Sequence, residues 1–112
     1  MTRPIPDKAE VALEYPDKFY VGTFERSARF EAHLDATGIA LTLERTGDVE
    51  TRKAIRMHIN YGLFAEILRE LAASVSALPV ADLEHRAALA ESAKLLRDAL
   101  AVKRRKASRT DN

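Results

Sequence analysis

The sequence predicts an α+β fold, in which an antiparallel meander of four or five strands is covered on one face by a helix and followed by a second, long C-terminal helix. Up to residue 59, short segments alternate apolar and polar residues, the period of a strand with one buried face. From residue 61 onwards apolar residues recur every three or four positions, as in amphipathic helices. Because a sheet with one apolar face needs a second layer, the first helix is expected to cover it.

Five segments are predicted strands, at about 10–15, 18–24, 28–35, 39–45 and 53–59. The first is the least regular, since a Pro-Asp pair ends it and a frayed helical turn fits it equally well. The second is rich in aromatic and β-branched residues. Its inward face stays open, because two alternating pairs compete for it: Phe19 with Val21, and Tyr20 with Phe24. Residues 1–9 contain two prolines and are predicted to be a loose lead-in.

Strands 28–35 and 39–45 form the best-defined hairpin. The loop between them reads Asp-Ala-Thr-Gly and ends in the residue that best tolerates positive φ. Strand 53–59 continues the same pattern, and a shift of one residue in either pairing would destroy the agreement. Closing the loop and pairing strand 53–59 with strand 39–45 puts the apolar residues of all three strands on one face. The resulting pairs are Leu34–Ile39, Ala32–Leu41, Phe30–Leu43, Ile39–Ile59, Leu41–Met57 and Leu43–Ile55.

Two helices are predicted after the strands. The helix at 61–77 has one apolar stripe, made of Phe64, Ile67, Leu68, Leu71, Val75 and Leu78. The helix at about 82–104 starts at the N-cap candidate Asp82, and its Ala/Leu arc covers about half of the circumference, wider than one contact needs. It therefore needs two neighbours, which are either the first helix and the sheet or the same helix of another subunit. The residues predicted for such a subunit interface are Leu95, Ala99 and Val102.

Length and composition fit a single domain at 10–102 with a basic tail at 103–112. The chain has 112 residues, of which 46% are hydrophobic and 31% charged. The net charge of +1 is uneven, because the tail has five basic residues and one acid, which leaves 13 basic and 16 acidic residues elsewhere. The absence of cysteine excludes disulfides and thiolate chemistry. With no leader peptide and no run of about 20 apolar residues, we expect a cytoplasmic protein without membrane contact.

One polar cluster has residue types that can bind a metal or exchange protons. Glu31, His33 and Asp35 share a strand face, with His58 across the sheet. The predicted register places Ala40 between the two histidines, which puts them two strand spacings, or roughly 10 Å, apart. Ligands of one metal ion lie about 3 Å from each other. His33, Asp35 and His58 are therefore only weak candidate metal ligands, and a solvated polar face is favoured.

Three functions fit these observations. No phosphate loop, nucleophile elbow or HExxH motif occurs, so no catalytic residue and no cofactor is predicted. The leading hypothesis is a non-catalytic binding or assembly module that forms a homodimer. The second is contact with nucleic acid or an acidic protein through the tail, using Lys103, Arg104, Arg105 and Lys106. The third is a small-molecule site or enzyme cleft between sheet and helices, with Met57, Tyr61 and Phe64 as apolar walls.

Overall fold

The computed structural model describes residues 2–48, 50–78 and 83–110, with the side chains of 83, 84 and 102–110 outside this description. Within these described ranges, six strands precede two helices. Four strands form one antiparallel sheet, and two form a separate antiparallel hairpin. The α+β class and the four-stranded antiparallel sheet are therefore as the sequence predicts. The chain divides into two compact units, residues 1–74 and 75–112.

The centre of the main sheet is a meander of β4 (Arg29–Leu34), β5 (Gly38–Arg45) and β6 (Lys53–Asn60). Its register agrees with the sequence-based pairing at every apolar position, including Leu34 with Ile39 and Met57 with Leu41. The reason is the period of two: only this register puts the apolar residues of all three strands on one face.

The fourth strand of this sheet differs from the predicted one. β1 (Arg3–Pro4) pairs with β4, so the segment predicted as a loose lead-in supplies an edge strand. A proline is tolerated there because an edge strand needs no donor on its outer side. The next residue, Ile5, is only 6% exposed and its N–H donates to the Ala28 carbonyl at 3.1 Å. A buried isoleucine thus holds the short strand in place.

The two strands β2 (Ala9–Tyr15) and β3 (Lys18–Phe24) pair only with each other. The prediction that they continue the meander next to β4 is wrong, because β1 occupies that edge. The segment predicted at 10–15 is nevertheless a strand. The last residue of β3 shows which face of this strand points inward. Phe24 is 4% exposed, whereas Val21 on the opposite face is 71% exposed.

The helices follow the strands in the expected order. α1 (Tyr61–Ala77) has the predicted bounds and packs on the sheet, and α2 (Leu83–Thr110) extends six residues beyond the predicted end. The predicted cap Asp82 lies outside the described residues. Neither helix, over its described residues, combines the length and the apolar composition that crossing a membrane requires.

The buried core of the described residues is small. Ile5, Phe24 and Ala28 are the buried hydrophobic residues, and they lie where β1, β3 and the start of β4 meet. Four partly buried side chains pack against them: Val11, Phe30, Leu43 and Ile55. The core therefore occupies one end of the apolar sheet face and leaves the rest of that face to other contacts.

Candidate functional site

The turn between β4 and β5 is organised by one carboxylate. Asp35 Oδ1 accepts hydrogen bonds from the backbone N–H groups of Thr37 and Gly38, both at 2.9 Å. The Asp35 N–H in turn donates to the Gly38 carbonyl at 2.9 Å. This is the local side-chain-to-backbone bonding that makes aspartate a turn residue. The predicted Asp-Ala-Thr-Gly loop is thus closed by its first side chain.

His58 on β6 contacts the same carboxylate. Its Nε2 lies 2.9 Å from Asp35 Oδ2 and 3.2 Å from Oδ1, and the Thr37 hydroxyl lies 3.3 Å from the same nitrogen. The hydrogen bond from the Thr37 N–H, followed by those from His58 and the Gly38 N–H, holds the pKa of Asp35 well below its usual range. Asp35 is therefore ionised throughout the neutral range.

The arrangement of Asp35, His58 and Thr37 differs from a catalytic triad. A triad needs the carboxylate on one ring nitrogen of histidine and the nucleophile on the other, so that a proton can be taken from the nucleophile while the ring stays oriented. Here both the carboxylate and the hydroxyl contact Nε2. The geometry serves to join strands, and it provides no path for activating the hydroxyl.

Tyr61 adds a second link to the same turn. Its hydroxyl donates to the Asp35 carbonyl, and its N–H donates to the Thr37 carbonyl at 3.1 Å. The first residue of α1 is thereby fixed to the β4–β5 turn, and so is the end of β6. We call Asp35, Thr37, His58 and Tyr61 the turn clamp. Sequence reasoning missed its Thr37 and Tyr61 members, although an Asp-x-Thr-Gly turn beside a strand end was visible.

The other predicted polar residues lie outside the turn clamp. His33 faces Ala40, which also pairs with His58, so the two histidines flank a strand as the register predicts. His33 Nδ1 lies 3.8 Å from Glu31 Oε1. Within the described residues no three His, Cys, Asp or Glu side chains are grouped closely enough to hold a metal ion. Of the three candidate ligands, Asp35 and His58 meet and His33 does not join them.

A large apolar surface is exposed on the sheet and on α1. On the apolar sheet face, Leu34 is 48% exposed and Met57 is 43% exposed. On α1, Phe64 and Ile67 are half-buried, whereas Leu68 and Leu71 of the same stripe are exposed. The apolar stripe of α1 is thus half-buried near the start of the helix and exposed further along it.

The β2–β3 hairpin exposes apolar side chains on both faces. Phe19 and Val21 are exposed on one face, and Leu13 and Tyr20, which pair with each other, are exposed on the other. Between this hairpin and β6 lies an open groove of about 290 Å³, lined mainly by apolar side chains. At its rim the Lys53 ammonium lies 4.9 Å above the Phe24 ring and donates to the Thr23 carbonyl.

The candidates for partner contact on α2 are described in part. Leu95 is 68% exposed and Ala99 is also exposed. The side chain of Val102 and those of the basic tail, Lys103, Arg104, Arg105 and Lys106, lie outside the described residues. The tail backbone belongs to α2, which continues to Thr110.

A second concave region lies at the loop end of the β5–β6 hairpin. It has a volume of about 320 Å³, and its lining includes the basic residues Arg45, Arg52, Lys53 and Arg56 and the acidic residue Glu44. The walls predicted for a small-molecule cleft, Met57 and Tyr61, are both at least 40% exposed and do not line this region. The expected cleft between sheet and helices stays a prediction.

Comparisons of this chain with protein-family models, with curated proteins and with solved structures gave no match. The function is therefore argued from the geometry of the chain itself.

Proposed function

We propose that this protein is a non-catalytic assembly module that works as a homodimer. The observation that carries the proposal is the imbalance between buried and exposed apolar side chains. Among the described residues three hydrophobic side chains are buried, while seventeen large ones are at least 37% exposed. Single exposed leucines are ordinary, but an exposed apolar surface of this extent marks a binding face.

The polar cluster supports a non-catalytic role. The side chains of the turn clamp form hydrogen bonds that join the β4–β5 turn to β6 and α1. The Nε2 atom of His58 contacts both the Asp35 carboxylate and the Thr37 hydroxyl.

Sedimentation equilibrium of the full chain at micromolar concentration tests the proposal. We expect the mass of a dimer, which persists at 0.5 M or higher salt because apolar contacts are not screened. A single species with the mass of one chain across the concentration range would overturn it.

Contact with a phosphate-rich polymer or an acidic protein is a second proposal. It is supported by the sequence of the tail, Lys103-Arg104-Arg105-Lys106, and by the three arginines among the residues that line the concave region, Arg45, Arg52 and Arg56. The test is salt-dependent binding, which is argued in the Discussion.

A further inference from the structure

We propose that the concave region at the loop end of the β5–β6 hairpin binds a phosphate group, carried by a small phosphomonoester. The described residues that line it all belong to this one hairpin, within the first unit. The inference goes beyond the homodimer and does not rest on it. With the second proposal it shares the ligand chemistry but not the tail.

The hollow arises from a short side chain between two long ones. Side chains along β6 alternate between the two faces of the sheet, so Ala54 lies on the face opposite to Ile55 and Met57. Arg56 lies on the same face as Ala54, and Arg52 directly precedes the strand. Both arginines line the region together with Ala54. Because the alanine ends in a methyl group, the space between the two cationic side chains stays open.

The backbone around the region is held by hydrogen bonds. The ladder between β5 and β6 extends to the pair of Arg45 and Lys53. In the loop, the Asp48 carbonyl accepts from the N–H of Thr51 at 3.0 Å and from the N–H of Arg52 at 2.8 Å. Arg52 is thus fixed at the point where the chain enters β6, and its side chain is the part that can adjust to a ligand.

The region has an excess of positive charge. Four of its lining residues are basic, and one, Glu44, is acidic. In the part of the chain that the structure describes, no carboxylate lies within ion-pair distance of the three arginines. The loop acids Asp48 and Glu50 do not line the region. An anion that enters it therefore meets cations whose charge is not already neutralised.

Neighbouring cations are engaged, which distinguishes them from these arginines. The Arg29 guanidinium donates to the Thr2 hydroxyl at 3.0 Å and to the Thr2 carbonyl at 2.8 Å. The Lys53 ammonium donates to the Thr23 carbonyl. Lys53 also lies directly opposite Arg45, and like charges in this position repel each other. A bound anion would offset this repulsion.

A phosphate group fits these donors better than a carboxylate does. Arginine offers a planar fork of N–H groups that binds phosphate oxygens in pairs. A phosphomonoester has three terminal oxygens and a charge of about −2, so it can accept from several arginines at once. The hydroxyl of Thr46, which also lines the region, is a further donor. The volume of about 320 Å³ is small for a ligand pocket, which favours a small ester.

Titration of the full chain with inorganic phosphate and with glycerol 3-phosphate, at constant ionic strength, tests the site. Backbone N–H signals and arginine side-chain Nε–H signals are followed by NMR. We expect saturable shifts at Thr46, Ala54 and the three arginines with both phosphate probes, and none with acetate. Equal shifts with acetate would show charge screening alone and would overturn the site.

Variants that remove one charge each locate the binding. Arg52 and Arg56 are exposed, so their substitution should leave the fold intact. Arg52→Gln and Arg56→Gln should each weaken glycerol 3-phosphate binding by about three- to five-fold, the size of one exposed charged contact. Arg52→Lys keeps the charge but loses the fork, and it should also weaken binding.

Arg26→Gln is the matched control. It removes the same charge from an exposed residue in the turn before β4, outside the lining of the region. The affinity for glycerol 3-phosphate should stay within about two-fold of the wild type. Equal losses in Arg26→Gln and Arg52→Gln would overturn the site, because the effect would then follow the net charge of the chain.

The outcomes also separate this site from the tail. The full chain that carries Lys103→Gln, Arg104→Gln, Arg105→Gln and Lys106→Gln together should bind glycerol 3-phosphate as the wild type does. A loss of binding there, with none in Arg52→Gln, would overturn the site and assign the phosphate contact to the tail. An oligothymidylate that binds while glycerol 3-phosphate does not would overturn it too, because the phosphate would then come from a polymer. A wild-type monomer in sedimentation overturns the homodimer and leaves this site in place.

Discussion

At the level of single residues, Gly38 is the position with the least room for change. A Cβ at this residue would lie 2.1 Å from the Ile59 carbonyl oxygen and 2.7 Å from the Asn60 Cα, both backbone atoms that cannot rotate away. From the sequence, we expected this loop position to need glycine because glycine tolerates a positive φ. In the structure, glycine is needed there because β5 and β6 approach each other closely. Gly38 has no positive φ, unlike Gly47.

Gly38→Ala is expected to destabilise the protein by about 3 kcal/mol or more, because β5 and β6 would have to separate to admit the methyl group. Gly62→Ala is the matched control. Its Cβ would meet nothing within 4 Å, and alanine in a helix should stabilise the protein by about 0.5–1 kcal/mol. Urea unfolding of both variants measures the difference. Equal stability of the two variants would contradict the close approach of the strands.

Asp35 is a residue whose ionisation is expected to affect the stability of the fold. Its pKa is lowered in the folded state, so its contribution to stability is full above the unfolded value of about 3.8 and is lost as the pH falls through the folded value. Asp35→Asn keeps an oxygen that can accept from Thr37 and Gly38 but removes the negative charge beside His58. Asp35→Ala removes both and should therefore be the less stable variant.

Urea midpoints at pH 6 and pH 3 test this role of Asp35. The stability difference between wild type and Asp35→Asn should be larger at pH 6 than at pH 3, because at pH 3 the unfolded wild-type chain takes up a proton on Asp35 while the folded chain keeps this carboxylate ionised, which favours unfolding. Asp17→Asn, in the exposed turn of the β2–β3 hairpin, is the control. If Asp17→Asn shows the same change with pH as Asp35→Asn, the turn clamp is not the source.

At the level of elements, the β2–β3 hairpin is attached to the core by one end. Phe24 is buried, whereas Phe19 on the same strand is 61% exposed. Phe24→Ala should therefore cost about 3–5 kcal/mol, while Phe19→Ala should change stability by about 0.5 kcal/mol or less. Thermal unfolding of the two variants checks this difference. Equal losses would show that the outer half of the hairpin is also buried in the working protein.

The elements also show what could be read from the sequence. The register of β4, β5 and β6 was predicted because a period of two leaves one pairing that gathers Phe30, Leu41 and Met57 on one face. The place of β1 was not predicted, because Arg3 and Pro4 are exposed and form too short a segment to show any period, and the buried residue, Ile5, comes after them.

The turn clamp was predicted only in part, for a related reason. Asp35 and His58 were recognised as residue types that carry chemistry, but their contact depends on how the turn folds back over the end of β6. Strand periodicity says nothing about turn geometry. The exposed apolar surface could not be predicted either, because a sequence pattern shows which residues are apolar but not whether another layer covers them.

At the level of the whole molecule, the basic tail separates two modes of partner contact. If phosphate groups are bound through Lys103, Arg104, Arg105 and Lys106, each contact releases counterions and the affinity falls steeply with salt. Binding to single-stranded DNA, measured by fluorescence anisotropy between 50 and 200 mM salt, should weaken by about 10-fold or more for four to five contacts. Truncation after Val102 should abolish it. Unchanged binding by the truncated chain would rule out the tail as the contact.

Assembly has a further consequence for the stability of the whole molecule. When folding and association are linked, the free energy of unfolding depends on the protein concentration, because the native state contains two chains and the unfolded state one. Tm should therefore rise by several degrees between about 1 and 100 µM chain, since each tenfold change in concentration alters the free energy by about 1.4 kcal/mol per dimer. A variant that stays monomeric should unfold at a lower Tm that no longer depends on concentration. A constant Tm for the wild-type chain would mean that the small core around Phe24 and Ala28 suffices for folding, and the exposed apolar surface would then have no role in holding the protein together.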